Sequence, residues 1–270
     1  MDSEDSVDEA GDKYITRWLE NGHHHQEYRK FRYVSLSERE GMRKAVFEFL
    51  AQAVITYHND PTEFSEIVAR LGYEQAAQQF DKRPKVDKTR KGNFGEIIAC
   101  EYLRQVEDYQ LPVYRLRWNT NPDTSMRGED AITFKFGNPN GTGREICITE
   151  AKVMSQYRGD TIQEAHTQLS SEHRPRPNSL PFIYSRLREK GEVEKANAVL
   201  AFLDRSLPHP PVRRNFLMII TGNQPQDPFR VVEDADEVVS NLTASNLSLN
   251  QLTDFINELF EVEIGGDNTD

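Results

Sequence analysis

Two acidic residues and one lysine stand at the ends of two neighbouring strand-like segments of the chain. Asp130 lies near the start of EDAITFKF (129–136), and Glu150 and Lys152 lie near the end of REICITEAKV (144–153). Because side chains alternate between the two faces of a strand, Glu150 and Lys152 share a face with the isoleucines that precede them. Where one face of a strand changes from apolar to charged residues, we expect that part of the strand to leave the core and to line a cleft.

The turn-rich sequence NPNGTG (138–143) between these segments predicts that they pair as antiparallel neighbours. In that arrangement, Asp130 and Glu150 come to the same end of the sheet. Two carboxylates placed close together repel each other and resist ionisation, and a divalent cation removes this cost. Proteins commonly hold Mg²⁺ through one or two carboxylates, together with waters and the phosphate oxygens of a substrate.

Lys152 adds a positive charge beside this candidate metal site, and it is the only lysine in the chain with an acid two residues before it. It could orient the attacking water, help to deprotonate it, or offset negative charge in the transition state. Asp130, Glu150 and Lys152 together therefore predict metal-assisted hydrolysis of a phosphodiester bond. For the tripeptide alone, the simpler alternative is a salt bridge on an edge strand.

A further acid, Glu96, falls in the predicted helix NFGEIIACEYLRQV (93–106). It lies off the apolar stripe that Phe94, Ile98 and Tyr102 form, and it is close to the beginning of the helix. An acid in this position stabilises a helix through the helix macrodipole. From the residues alone, that is the better explanation of Glu96.

The order of predicted elements indicates how these residues are positioned. We expect an acidic tail at 1–12, an all-helical region at 13–80, a basic linker at 81–92 and a second domain at 93–270. The second domain is predicted to contain, in chain order, a helix, three strands, two helices, a further strand and a final helix. This order predicts an α/β fold with a mixed sheet flanked by helices.

Local signals give approximate bounds for these elements. Cap residues, prolines and the spacing of apolar residues are the signals used. In chain order, the predictions are a helix from Ser37 to about His58, a helix from Pro61 to Leu71, a helix over 73–80, a strand over 113–118, a helix after Asp160 with Ile162, Ala165 and Leu169 inside, a helix over 183–203, a strand over 215–221 and a final helix from Ser248.

Composition limits the classes of function. The chain has 44 acidic and 33 basic residues and a formal net charge of −11. A stand-alone, non-specific DNA-binding module is usually basic, because phosphate contacts dominate its affinity. The charge argues against such a module, and it is compatible with an enzyme that has a local basic groove or with a subunit that works beside a partner.

Two further features bear on location and on DNA contact. The sequence has no apolar run of the roughly 20 residues that cross a bilayer, and Cys100 and Cys147 lie in apolar segments, which predicts buried reduced thiols and a cytoplasmic protein without membrane contact. Within the basic linker, Lys88, Arg90 and Lys91 either follow a phosphate backbone or belong to a solvated loop.

The order of Glu96, Asp130 and the Glu150-x-Lys152 tripeptide resembles the signature of the PD-(D/E)xK nucleases. The resemblance can be narrowed to the family of the nuclease subunit of the Hachiman anti-phage defence system, HamA. The segments that carry it are KGNFGEIIACEYL, TSMRGEDAI and ITEAKV.

Two positions depart from the pattern of that family. Arg127 and Thr149 stand where the family often has histidine and glycine. Neither residue replaces a metal ligand, so the departures concern membership of the exact subfamily rather than the candidate site.

The resemblance implies a restriction-endonuclease-like fold, DNA as substrate and Mg²⁺ as cofactor, for which Mn²⁺ can substitute. It implies that Asp130 and Glu150 are metal ligands, that Glu96 binds the metal or its water, and that Lys152 is the catalytic lysine. The backbone carbonyl of Ala151 would complete the site.

The resemblance also bears on substrate contact and on partners. Gln163 occupies the helix after the acid-x-Lys strand, where related nucleases carry a glutamine near the scissile phosphate. The family implies a superfamily 2 helicase partner, HamB, that restrains the nuclease until invading DNA is sensed. The alternative function is a non-catalytic adaptor with a nuclease-like fold, which docks a helicase through its helical N-terminal region.

Overall fold

The computed structural model describes residues 13–22, 27–71, 78–126, 128–138, 140–171, 177–204 and 206–264. The predicted acidic tail at 1–12 and most of the predicted helix at 73–80 lie outside these residues, and Gln78–Phe80 form a 3-10 helix. Among the described helices, none combines the length and the apolar character needed to cross a membrane.

Helices and strands make up most of the described chain. The helices are α1 (Tyr14–Trp18), α2 (Met42–His58), α3 (Pro61–Leu71), α4 (Asp87–Gln105), α5 (Gly159–Ser171), α6 (Leu180–Glu189), α7 (Val193–Leu200), α8 (Arg230–Glu233) and α9 (Leu252–Glu261). The strands are β1 (Leu19–Asn21), β2 (Arg32–Glu38), β3 (Ala131–Lys135), β4 (Glu145–Met154), β5 (Val212–Thr221) and β6 (Leu242–Ser248).

The described strands form one six-stranded sheet in the order β1-β2-β6-β5-β4-β3. The four inner strands β2, β6, β5 and β4 are parallel neighbours, and the edge strands β1 and β3 each run antiparallel to the strand beside them. The predicted fold class, an α/β fold with a mixed sheet flanked by helices, is confirmed.

Two apolar cores lie on the two faces of this sheet. On one face, α1, α2, α4 and α9 pack over Cys147, Ala151 and Met218. On the other face, α5, α6, α7 and α8 pack over Ile148 and Leu217. The alternation predicted for β4 is therefore confirmed, because neighbouring residues of this strand enter opposite cores.

The strand β5 was predicted from its continuous apolar run, and it lies between β4 and β6 with both faces covered. Strands buried on both faces are expected to be apolar throughout rather than alternating. The helix predicted after Asp160 is also confirmed, because Ile162, Ala165 and Leu169 of α5 are fully buried.

The region at 13–80 is mostly helical, but its expected all-helical character needs correction. Residues 19–21 and 32–38 are strands, and β2 pairs with β6 inside the sheet. Ser37 belongs to β2 and caps no helix, and α2 begins at Met42. The alternation of apolar and polar residues in RYVSLSE favours a strand, and pairing with two neighbours outweighs the capping pattern.

Three other predicted elements differ from the structure. Residues 115–118 form a 3-10 helix instead of a strand, and the predicted helix at 183–203 is divided between α6 and α7 at Gly191, whose φ is 78°. The final helix begins at Leu252, because Ser248 ends β6. Within the predicted linker, residues 87–92 form the first turns of α4. The division of the chain into regions around that linker stays a prediction.

Two glycines of α4 provide a matched pair of stability predictions. A Cβ atom at Gly95 would meet Val153 Cγ2 at 2.8 Å and Ala151 Cβ at 3.4 Å, whereas a Cβ atom at the exposed Gly92 would meet nothing within 4 Å. We expect Gly92→Ala to stabilise the protein by about 0.5–1 kcal/mol through its helix propensity. We expect Gly95→Ala to destabilise it by about 1–3 kcal/mol, since Val153 must shift. Urea denaturation of both variants tests this, and a gain of stability in both would contradict the close packing of α4 on β4.

Candidate active site

The end of β4 carries a close ion pair. Glu150 has no exposed surface, and the ammonium group of Lys152 lies 2.5 Å from its Oε1 atom with 30% of the lysine side chain exposed. Glu150 is held inside by the strand, which pairs with β3 on one side and β5 on the other. The lysine therefore presents its charge at the boundary between the core and solvent.

Asp130 lies directly before β3 and beside this pair. The antiparallel register pairs Ala131 with Thr149, so the next position of the register places Asp130 opposite Glu150. The Oδ2 atom of Asp130 accepts a hydrogen bond of 2.8 Å from the backbone N–H of Ala151. The predicted approach of the two acids across the turn at 138–143 is thus confirmed, and Asp130 contacts the middle residue of the acid-x-Lys tripeptide.

Glu96 reaches the same region from α4, on the other side of the sheet end. It is buried, and its two carboxylate oxygens accept hydrogen bonds of 3.1 and 3.3 Å from Nε and Nη2 of Arg115. Arg115 begins the 3-10 helix at 115–118 and has only 12% of its side chain exposed. Sequence reasoning missed this arginine, because a strand was expected there.

The charges of these residues act on one another. Burial raises the pKa of Glu96 to about 7, with Arg115 opposing the shift and the charge of Asp130 adding to it. Burial also raises the pKa of Asp130, against the Ala151 N–H and the charges of Lys152 and Arg115. Acids with raised pKa values and specific charged partners are typical of functional sites.

For Lys152, neighbouring charges affect the pKa more than burial does. Burial lowers the pKa of Lys152, but the charge and the hydrogen bond of Glu150 outweigh that effect, and the acids Asp130 and Glu164 add to it. The pKa therefore lies above its ordinary value, and Lys152 is an ammonium ion at neutral pH. Glu164 lies on α5, and sequence reasoning did not single it out.

The donor set suits a hard divalent cation held by few protein ligands. Asp130 and Glu150 offer carboxylate oxygens at neighbouring positions, which is the donor type that Mg²⁺ takes, with waters and phosphate oxygens completing its shell. Glu96 is bound to Arg115. Within the described ranges, no group of three or more His, Cys, Asp or Glu residues is arranged to hold a metal ion. The arrangement fits a two-carboxylate site and not a closed protein cage.

Glu129 holds the loop that carries Asp130. Its buried carboxylate accepts hydrogen bonds from the backbone N–H groups of Asn178 and Ser179, at 2.7 and 3.0 Å, and from the Ser179 hydroxyl at 2.5 Å. These donors stand at the beginning of α6, where backbone N–H groups lack helical partners. The acid therefore fixes the position from which the chain enters β3.

The basic residues predicted for DNA contact occupy different environments. Lys88 is exposed, and Lys91 donates to the hydroxyl of Ser155, one residue beyond β4, at 3.1 Å. Arg90 is mostly buried and binds Pro84 O, Asn257 and Glu261, so it ties the start of α4 to α9. Lys91 thus lies at the sheet end that carries the acids, and DNA contact by any of the three stays a prediction.

Gln163 is exposed on α5 and lines a cavity of about 520 Å³ with His166, Thr167, Ser170 and residues 235–240. Its neighbour Glu164 is the residue of this helix whose charge acts on Lys152. The predicted role of Gln163 at a scissile phosphate therefore stays a prediction.

Both cysteines are buried and free, as predicted. Burial raises the pKa of the Cys147 thiol to about 12 and that of the Cys100 thiol well above its ordinary value. A thiol held in its protonated form is a poor nucleophile. The cysteines are accordingly core residues in this fold.

Comparison with known proteins adds an independent line of evidence. The model of the HamA family matches residues 12–262. A curated relative from Bacillus cereus, named Hachiman protein HamA, is 36% identical over 134 residues, and the matched segment covers 50% of this chain and 46% of that relative. The aligned part is thus about half the length of the relative, whereas the family model extends over nearly the whole chain. The chain belongs to the HamA family.

Proposed function

We propose that this protein is a metal-dependent DNase and the effector of a Hachiman anti-phage defence complex. The observation that carries the proposal is the meeting of Asp130 with the Glu150–Lys152 ion pair at one sheet end. Its supporting points are the order of these residues, which resembles the PD-(D/E)xK signature, and the name of the Bacillus cereus relative, which places that protein in the Hachiman system.

In the proposed mechanism, Asp130 and Glu150 would hold Mg²⁺, which would supply Lewis-acid chemistry for hydrolysis of the phosphodiester. The Ala151 carbonyl lies beside these ligands in the chain, and Ala151 N–H holds Asp130 in place. Lys152, paired with Glu150 beside these ligands, would supply a hydrogen bond and a positive charge for the phosphate in the transition state.

Glu96 and Arg115 support the site from α4 and the 3-10 helix. Through this bidentate ion pair, the guanidinium group of Arg115 adds a second positive charge, besides that of Lys152, to the group of acids. Because both of its oxygens already accept from Arg115, Glu96 would bind a water of the metal rather than serve as a direct ligand.

The proposal includes control by a partner. With a net charge of −11, the isolated chain is expected to attract DNA weakly, because affinity for DNA depends on neutralising phosphates. We propose that a superfamily 2 helicase subunit supplies that affinity and restrains cutting until invading DNA is sensed.

Cleavage assays with labelled DNA test the function directly. We expect cutting by the complex in Mg²⁺ or Mn²⁺, none in EDTA, and weak cutting by the isolated chain at physiological salt. Asp130→Asn should lower the rate about 100-fold or more, since it removes one charged metal ligand. Asp160→Asn is the matched control, because Asp160 is an exposed acid on α5.

Two results would count against the proposal. Absence of cutting by the complex in both metals would favour the adaptor function, in which the fold serves only to dock a helicase. Strong cutting of any DNA by the isolated chain at physiological salt would remove the case for control by a partner.

A further inference from the structure

An open cavity of about 370 Å³ adjoins the candidate active site. Its lining consists of Arg115, Met126, Gly128, Asn178, Ser179 and Phe182. Binding sites for small molecules usually measure about 300–1,000 Å³. The cavity is therefore large enough for a group the size of one nucleotide, and too small for a duplex.

This cavity leads towards the acids. A second, smaller space of about 20 Å³, roughly the room of one water molecule, is lined by Glu96 and Asp130 among other residues. Arg115, Ser179 and Phe182 line both spaces. These three residues thus separate the open cavity from the carboxylates that we propose to hold the metal.

Arg115 lines both spaces and has one edge of its guanidinium group bound to Glu96. Nε and Nη2 donate to Glu96, whereas Nη1 donates no hydrogen bond to any residue that the structure describes. A guanidinium carries five N–H donors in a planar fork that matches phosphate oxygens. With one edge fixed by a buried carboxylate, the remaining N–H groups are left to bind an anion.

Phe182 gives the cavity a rigid aromatic wall. Its ring packs edge-on against Trp118 at 6.5 Å between centroids, and Arg186 lies over both rings. Phe182 is only half-buried despite these contacts. Aromatic side chains held in this way are platforms on which unpaired bases stack.

We infer that this cavity receives one unpaired nucleotide of a DNA strand, with its phosphate on Arg115 and its base against Phe182. The inference rests on the proposed nuclease function for the identity of the polymer. A base can reach a cavity of this size only when it has left the duplex stack. The site therefore selects single-stranded or locally opened DNA next to the point of cutting.

The acids around Arg115 limit how strongly this residue can bind a phosphate. Glu96 already neutralises Arg115, and Asp130 lies nearby, so the guanidinium alone attracts a phosphate weakly. Stacking on Phe182 must then provide a large share of the affinity. Removing either contact should weaken binding, and the loss should be specific to unpaired DNA.

Fluorescence anisotropy with a labelled single-stranded oligonucleotide and its duplex tests the inference. The full chain should carry Glu150→Gln to prevent cutting, with Mg²⁺ present at low salt. We expect Phe182→Ala and Arg115→Lys each to weaken single-strand binding about fivefold or more, and Phe182→Tyr to retain it. Controls are Phe80→Ala, which removes an exposed phenylalanine, and Arg104→Lys, which alters a second arginine paired with a buried acid of α4. Both controls should bind within about twofold of the parent.

Unchanged single-strand affinity in Phe182→Ala and Arg115→Lys, with melting curves like the parent, would overturn the inference. An equal loss of duplex affinity in these variants would also overturn it, because the cavity would then not distinguish unpaired DNA. Because binding is measured without cutting, the nuclease proposal and the nucleotide-cavity inference can be contradicted separately. If a complex that never cuts DNA still shows Phe182-dependent binding, only the nuclease proposal is contradicted.

Discussion

Replacing Glu150 with glutamine should lower the rate of DNA cleavage by a factor on the order of 10³ or more while leaving the fold intact. The substitution keeps the shape of a side chain that has no exposed surface, so the packing of β4 changes little. It removes the negative charge that we propose to bind the metal and that pairs with Lys152. Rates measured by single-turnover cleavage in Mg²⁺ give the effect, and calorimetric titration with Mg²⁺ should show loss of binding.

Glu145→Gln is the matched control for this variant. Glu145 begins the same strand and pairs with Arg214 at 3.0 Å, but it lies at the other end of β4. Its replacement should leave the cleavage rate unchanged. Because Glu150 and Lys152 form one unit, the double variant Glu150→Ala, Lys152→Ala should cost little more than either single change. Cutting that persists in the double variant is the outcome that excludes a catalytic role for the pair.

The largest loss of stability is expected on the helix that also carries Glu96, at Glu101. Its buried carboxylate accepts hydrogen bonds from Tyr14, Tyr57, Arg104 and Gln105, at 2.5–2.9 Å. These donors belong to α1, α2 and α4, so one acid joins three helices on the same side of the sheet. Glu101→Leu leaves all four donors without an acceptor inside the protein, which should destabilise the fold by about 3–5 kcal/mol.

A loss of this size corresponds to a melting temperature lower by roughly 10 °C for a chain of this length. Glu261→Leu is the control, because Glu261 also pairs with an arginine, Arg90 at 3.0 Å, but is 66% exposed. Exposed ion pairs contribute about 1 kcal/mol or less. If the two variants melt within a few degrees of each other, the buried network does not hold the helices as described.

The candidate site was largely predictable because its signals are local. The apolar residues before Glu150 alternate with strand periodicity, and the turn at 138–143 fixes how β3 and β4 pair. These two facts alone bring Asp130 to the Glu150–Lys152 pair. The position of Glu96 beside these residues was not predictable in this way, since it depends on how α4 packs over the sheet, and only the family resemblance pointed to it.

Arg115 shows why the remainder of the site escaped prediction. In the segment VYRLRW, alternation suggested a strand, but Val113 and Leu116 are the residues that turn inwards, with helical spacing. That spacing directs Arg115 to Glu96 and Arg117 to Asp60. Ion pairs with residues distant in sequence accompany this conformation, and the segment itself contains no trace of those partners.

The strand β6 escaped prediction for a related reason. Its sequence LTASNLS is polar, yet Ser245 and Asn246 are almost completely buried, and Asn246 accepts a hydrogen bond from the Tyr33 hydroxyl. Backbone pairing with β2 on one side and β5 on the other holds this segment in the sheet. Such pairing joins remote parts of the chain, and a local pattern does not record it.

The pairing of β2 with β6 also has a consequence for synthesis of the chain. The two strands are roughly 200 residues apart, so at about 5–20 residues per second β2 is made roughly 10–40 s before its partner. During that interval β2 has an open edge in the nascent chain, and open edges are templates for wrong pairing. The pace of translation, rather than the stability of the finished protein, therefore sets how long each new copy is exposed to aggregation.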